Sequence, residues 1–258
     1  MKQVLLDKHE GFAIVTLNRP NEMNALSRQL RAEFVAAFAE CQADKAVRVV
    51  IITGNGKAFC AGFDLKELTA PDAGNAAEEA DNTMARAMEA FAGPIIGAIN
   101  GHAITGGFEL ALACDILIAA QSASFADTHA RVGILPGWGL SQKLPRIVGS
   151  SRAKEICFTG KPVFAQQACD WGLVNRVVAA NDLLDTAITM AQDMLACVPH
   201  ILCQYKTLID EGLSLPLDEA LAQEERRAIE SAREAQSSIL AGRRQAVIAK
   251  GRSDRQQP

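Results

Sequence analysis

Glu109 is the lone carboxylate in an apolar run that opens on two glycines, Gly106-Gly107-Phe108-Glu109-Leu110-Ala111-Leu112-Ala113. A helix starting at such a pair carries unpaired backbone N–H groups and the positive end of its dipole at Gly106. Residues three apart share a helix face, so a backbone donor at Gly106 and an acid/base at Glu109 address the same substrate. Chemistry on a polarised carbonyl needs both parts close together. Two blander readings compete. Gly101 and Gly106 have the spacing of half a phosphate-binding loop, but Gly107 and Phe108 stand where that loop needs Lys and Ser or Thr. The other makes the glycines an ordinary turn and Glu109 a solvated or capping residue.

A second segment tips the balance toward chemistry. Val49-Val50-Ile51-Ile52-Thr53 is a β-branched run that predicts a buried strand. It leads through Gly54-Asn55-Gly56, which lacks the third glycine of a dinucleotide fingerprint. Then comes Lys57-Ala58-Phe59-Cys60-Ala61-Gly62-Phe63-Asp64-Leu65, where small residues at Cys60, Ala61 and Gly62 let backbone approach a ligand closely and supply a second N–H.

These motifs, in their order and spacing, resemble the crotonase superfamily, the enoyl-CoA hydratase/isomerase family. The resemblance begins at Asn18-Arg19-Pro20 and Asn24-Ala25-Leu26 and runs through the Lys57–Leu65 loop and Asn100-Gly101-His102-Ala103. It continues over Gly106–Ala111, Cys114-Asp115, Phe125-Ala126-Asp127 and Gly133-Ile134-Leu135-Pro136-Gly137, about three quarters of the chain. The resemblance implies a spiral of ββα units followed by C-terminal helices that pack protomers into a trimer or hexamer. It implies an acyl-CoA substrate whose thioester oxygen is held by the N–H groups of Phe63 and Gly106. Each such donor stabilises an enolate by roughly 3–4 kcal/mol. Coenzyme A is then part of the substrate, and no separate cofactor is expected.

Further roles follow from the same resemblance. Ala25, Leu26 and the stretch Lys57, Ala58, Phe59, Ala61, Gly62, Phe63, Asp64 and Leu65 match segments that wrap coenzyme A. Gly107, Pro136, Gly137 and Trp138 are further candidate substrate contacts, with Gly137 helping to place water; Trp138 departs from the small residue common in the family and either reshapes the acyl pocket or fills core. Lys250 is a candidate contact for the coenzyme A phosphates. Glu109 matches the first of two family glutamates. The second position holds His129, which can move a proton near neutrality or serve only in binding and packing, with Asp127 and Thr128 as neighbouring alternatives. Hydration of a 2-enoyl-CoA by a lyase of fatty acid metabolism is the leading expectation. Isomerisation, decarboxylation or C–C cleavage, and acyl-CoA binding without turnover stand as alternatives. Dehalogenation is discounted, because no aspartate lies near Gly137-Trp138.

Composition agrees. The 258 residues are 49% hydrophobic, enough for a sizeable core, and the net charge of −4 offers nucleic acid or anionic lipid no general attraction. In the tail, Arg226, Arg227, Arg243, Arg244, Lys250 and Arg252 alternate with Glu224, Glu225, Glu230 and Glu234, the pattern of a solvated helix face. Seven irregularly spaced cysteines read as reduced thiols, with Cys60 a packing residue, and the four histidines show no metal-ligand spacing. No run approaches the ~20 apolar residues of a membrane span. A cytoplasmic protein is expected.

The elements that must position the site follow from periodicity. A hairpin is predicted around His9-Glu10-Gly11, and a helix capped by Ser27 over 28–43 with Leu30, Phe34, Ala37, Phe38 and Cys41 on one face. Strands are expected at 49–53, 95–99, 116–118 and 173–178, a polar loop at 71–74, a helix over 76–91, and helices from 182 to 248. Strands alternating with helices imply a largely parallel sheet. The expected domains are a core over 1–195 and a C-terminal helical region over 196–258.

Overall fold

The structure is a computed structural model that describes residues 1–69, 82–234, 243, 244, 247, 248 and 251. The chain divides into two compact units, 1–203 and 204–258.

The first unit opens with the expected antiparallel hairpin of β1 (Val4–Lys8) and β2 (Phe12–Leu17). Helix α1 (Arg28–Ala43) begins at Ser27, whose hydroxyl accepts the Leu30 N–H at 3.1 Å and satisfies one orphan donor of the first turn. Its buried face is the expected Leu30, Phe34, Ala37, Phe38 and Cys41, with Arg31 added. Ser27→Ala removes the cap and is expected to cost about 1 kcal/mol, read as a lower midpoint in urea unfolding with an unchanged slope.

Three successive coils of chain then repeat one pattern. In the first, β3 (Val49–Gly54) leads to β4 (Ala58–Cys60) and the short α2 (Leu65–Leu68). Helix α3 (Thr83–Ala90) precedes the second, in which β5 (Ile95–Ile99) leads to β6 (His102–Ile104) and α4 (Gly106–Leu112). The third runs from β7 (Ile116–Ala120) to β8 (Ser124–Ala126) and α5 (His129–Val132). The first strand of each coil enters a six-stranded sheet, ordered β1-β2-β3-β5-β7-β10 with β10 at Arg176–Val178. The second enters a four-stranded sheet, ordered β4-β6-β8-β9 with β9 at Val163–Phe164. Pairing between equivalent strands of neighbouring coils is parallel in both sheets.

The apolar runs explain the layering. Along β3, Val50 and Ile52 join the larger core with α1, while Val49 and Ile51 face the other way. There they meet Leu183, Ala187 and Ala191 of α9 (Leu183–Leu195), which follows α6 (Leu140–Val148), α7 (Ser150–Thr159) and α8 (Ala165–Asp170). A strand buried on both faces needs no polar alternation, and none is present.

The structure corrects the sequence reading in two places. The expected strand at 173–178 is confined to Arg176–Val178, because the N–H of Leu173 closes a turn onto the Ala168 carbonyl. The extra strand β6 follows a turn at Gly101, where an added Cβ would lie 2.0 Å from the Lys57 carbonyl oxygen. Of the helix expected over 76–91, the described residues show Thr83–Ala90; residues 76–81, the loop at 71–74 and Lys250 lie outside the described residues. Helix α10 is Pro199–Gly212, and the second unit includes α11 (Leu217–Glu234). Within the second unit Arg227 of α11 pairs with Glu211 of α10 at 2.6 Å. Among the described residues no single helix is long and apolar enough to cross a membrane.

Candidate active site

The candidate groups lie just beyond the carboxyl ends of three adjacent parallel strands. Phe63 follows β4, Gly106 follows β6, and His129 follows β8. Gly62 adopts φ +85°, and a Cβ there would come within 2.9 Å of the Ile104 carbonyl oxygen and 3.2 Å of the Gly106 nitrogen. A Cβ on Gly106 would touch the Phe63 ring at 3.4 Å. The two backbone positions expected to share one oxygen are therefore neighbours, and glycine is what lets them approach. Leu26 pins the first of them by donating its N–H to the Gly62 carbonyl at 2.8 Å.

Thr105, between β6 and α4, holds φ 54° and ψ −110°, a conformation strained for a β-branched residue. Its surroundings enforce it. Its N–H donates to Ala126 O at 2.8 Å, and its hydroxyl accepts the Thr128 N–H and lies 2.6 Å from the Thr128 hydroxyl. These bonds tie the second coil to the third beside the site.

Glu109 is 2% exposed. Its Oε1 accepts the Trp138 N–H at 2.7 Å, with the Leu140 N–H at 3.5 Å, and its Oε2 lies 3.6 Å from His129 Nε2. Burial raises its pKa above the ordinary glutamate value, against the opposing pull of the Trp138 N–H and of His129. His129 is also buried, and its other ring nitrogen, Nδ1, lies 2.6 Å from Asp127 Oδ1. Burial works against the Asp127 charge, but hydrogen bonds from the His129 ring, the His129 backbone N–H and the Cys157 thiol hold its pKa below the usual aspartate value. An imidazole thus sits between two buried carboxylates.

The remaining expected residues divide by role. Ala58 and Phe59 are fully buried strand residues, so their side chains belong to the core. Lys57 and Leu65 are exposed, and Ala25 and Ala61 are partly so, along the rim of the loop. Asp64 caps α2 through the Lys66 N–H and pairs with Arg19 at 2.6 Å, so its carboxylate is engaged in holding the loop. Gly107 presses on β4, with an added Cβ 2.0 Å from the Cys60 carbonyl oxygen. Pro136 and Gly137 lie in the connection between α5 and α6, with Gly137 exposed. The Trp138 indole is buried edge-on to Phe63, ring centroids 5.4 Å apart, and the Arg31 guanidinium lies over the Phe63 ring at 5.1 Å. Cys60 is fully buried and its thiol is pushed up to about 12, which suits packing and not nucleophilic attack.

Sequence reasoning missed the hold on Glu109 by a backbone N–H, and it named Asp127 only as a neighbour of His129. The second had a signal. Asp-x-His directly after a strand reads as an Asx turn, and here the His129 N–H donates to Asp127 Oδ1 at 3.1 Å.

Known proteins and structures resemble this chain over most of its length. The family model for enoyl-CoA hydratase/isomerase matches residues 7–246. The chain is 44% identical over 218 residues to a probable peroxisomal enoyl-CoA hydratase 1 of Arabidopsis thaliana, covering 84% of this chain and 82% of the relative. It is 37% identical over 227 residues to a short-chain-enoyl-CoA hydratase of Clostridium acetobutylicum, covering 87% of each. The crystal structure of an enoyl-CoA hydratase from Bacillus anthracis superposes with a TM-score of 0.87 at 36% identity, covering 96% of each chain. With a matching family model over most of its length, two paired sheets wound from ββα coils, and a carboxylate beside two converging backbone positions, the chain belongs to the enoyl-CoA hydratase/isomerase family.

Proposed function

We propose that the chain hydrates a 2-enoyl-CoA, with Glu109 and His129 handling the two proton transfers. The observation that carries this reading is the pair of buried acid/base groups, 3.6 Å apart, beside the juxtaposed backbone of Phe63 and Gly106. The N–H groups of Phe63 and Gly106 polarise the thioester carbonyl and hold the enolate oxygen. Glu109 takes a proton from water as its oxygen bonds to C3. His129, protonated on Nε2, delivers a proton to C2 as the enolate collapses. Water has then been added across the double bond, leaving Glu109 protonated and His129 neutral. Transfer of that proton from Glu109 Oε2 to His129 Nε2 restores the starting state without an outside acid.

Coenzyme A enters as part of the substrate, and the reading requires no separate cofactor. The rim of the Lys57–Leu65 loop, Ala25 and Gly137 are the proposed contacts. The exposed apolar side chains of the second unit, Tyr205, Leu213 and Leu217 among them, support a homotrimer or hexamer, which the mass in solution by light scattering checks. The cytoplasm is the proposed compartment, and fractionation beside a peroxisomal marker tests it.

The reading is tested by following the conjugated-enoyl absorbance of crotonyl-CoA. The wild type is expected to bleach it. His129→Gln is expected to lose about 10²–10⁴-fold in kcat while still binding the acyl-CoA. Binding without turnover in the wild type would leave an acyl-CoA binder, and conversion of a 3-enoyl-CoA alone would leave an isomerase.

A further inference from the structure

His129 Nδ1 and Nε2 face different partners, and only one of those partners can decide where the resting proton sits. Asp127 is 2% exposed, and its Oδ1 receives two bonds from the same residue: the His129 backbone N–H at 3.1 Å and the ring Nδ1 at 2.6 Å. An ionised carboxylate is an acceptor only, so a hydrogen bond of that length requires the proton to be on Nδ1. The backbone bond and the ring bond together fix the rotation of the imidazole as well. The Cys157 thiol, on α7, supplies a third donor to the same carboxylate. Its own pKa is pushed up to about 12 by burial and by Asp127, so it stays a donor across the working range.

We propose that Asp127 is a positioning residue that keeps the resting proton of His129 on Nδ1. The imidazole is thereby aimed so that Nε2 is the nitrogen that gains and loses the reacting proton. The inference rests on the reading of His129 as a proton donor. It gives this pair a logic that a second glutamate would not need. A carboxyl group has two equivalent oxygens, whereas an imidazole has two unlike nitrogens and must be told which to use. The same logic explains why a histidine serves here between two acids. Glu109, held by the Trp138 N–H through its other oxygen, presents Oε2 to Nε2, and Asp127 binds the opposite nitrogen.

The test is nitrogen-15 NMR of the full chain labelled at histidine, with the His129 signals identified by their loss in His129→Gln. In the wild type the neutral ring is expected to show a protonated Nδ1 and a bare Nε2. In Asp127→Ala no acceptor faces Nδ1, and the ring is expected to switch to the Nε2–H form. Crotonyl-CoA hydration in that variant is expected to fall by about 10²-fold or more in kcat, with KM little changed. A wild-type ring carrying its neutral proton on Nε2 overturns the proposal without recourse to any variant, so misfolding of Asp127→Ala cannot rescue it. An Asp127→Ala protein that keeps the Nδ1–H form, or keeps full kcat, overturns it too. If His129→Gln retains full hydration, the reading of His129 as a donor fails. If that variant is impaired and the tautomer is wrong, only the role of Asp127 fails.

Discussion

Glu109→Gln is expected to lower kcat/KM for crotonyl-CoA hydration by about 10³-fold or more while leaving acyl-CoA binding and thermal stability close to wild type. The amide is the same shape as the carboxylate, and its oxygen can keep the 2.7 Å bond from the Trp138 N–H. What disappears is the second oxygen, which faces His129 at 3.6 Å and is the proposed acceptor of the water proton. An NH₂ group there cannot take that proton, and it cannot return one to His129 afterwards. Both the chemical step and the reset are blocked, so the loss is expected to exceed that of His129→Gln. Titration offers a companion measurement. The working form of Glu109 is ionised, and burial raises its pKa above the usual glutamate value. Wild-type kcat/KM is therefore expected to fall on the acid side at a pH higher than an exposed glutamate would give. Steady-state kinetics across pH, beside calorimetric binding of a saturated acyl-CoA to the variant, checks both points.

Gly107→Ala is expected to be the most damaging one-carbon change near the site, through packing and not through chemistry. The added Cβ would meet the Cys60 carbonyl oxygen at 2.0 Å, its carbon at 2.7 Å and the Cys60 Cβ at 2.8 Å. These atoms belong to β4 and its bend, so no side-chain rotation relieves the clash. Either α4 or the end of β4 must move. Overpacking of this kind costs roughly 1–3 kcal/mol or more. Because Gly106 directly precedes Gly107 and Phe63 lies three residues after Cys60, the same shift separates the proposed oxyanion donors. Urea unfolding should show a lowered midpoint, and any folded protein should hydrate crotonyl-CoA poorly even with Glu109 intact. Full activity at wild-type stability would show that the two segments can part without loss.

The elements legible in the sequence are those whose pattern answers to a single neighbour. Ser27 and the face Leu30, Phe34, Ala37, Phe38 and Cys41 need only the helix period, and the structure has them where expected. Val49–Thr53 and Ile95–Ile99 read as buried strands because both of their faces are covered. The short strands β4, β6 and β8 were harder to see. At three residues each they carry no period, and they exist because parallel partners in neighbouring coils satisfy their backbone. The site divides in the same way. Glu109, Gly106 and the Phe63 loop have local signals in spacing and small residues. The grip of the Trp138 N–H on Glu109 spans 29 positions, and no local pattern records it. The contribution of Cys157 to Asp127 comes from α7, a helix whose sequence says nothing about the site.

The three-coil winding divides labour in a way that bears on how such a site can change. Phe63 belongs to the first coil, Gly106 and Glu109 to the second, and His129 with Asp127 to the third. In the proposed reaction, the first two coils hold the charge on oxygen, and the third decides where the next proton goes. A handful of changes after β8 can thus redirect an enolate without disturbing how it is made. The two halves of the proposed reaction sit on separate coils, joined by parallel pairing of β6 with β8, by the Thr105–Thr128 bonds and by the Glu109 carboxylate that faces His129.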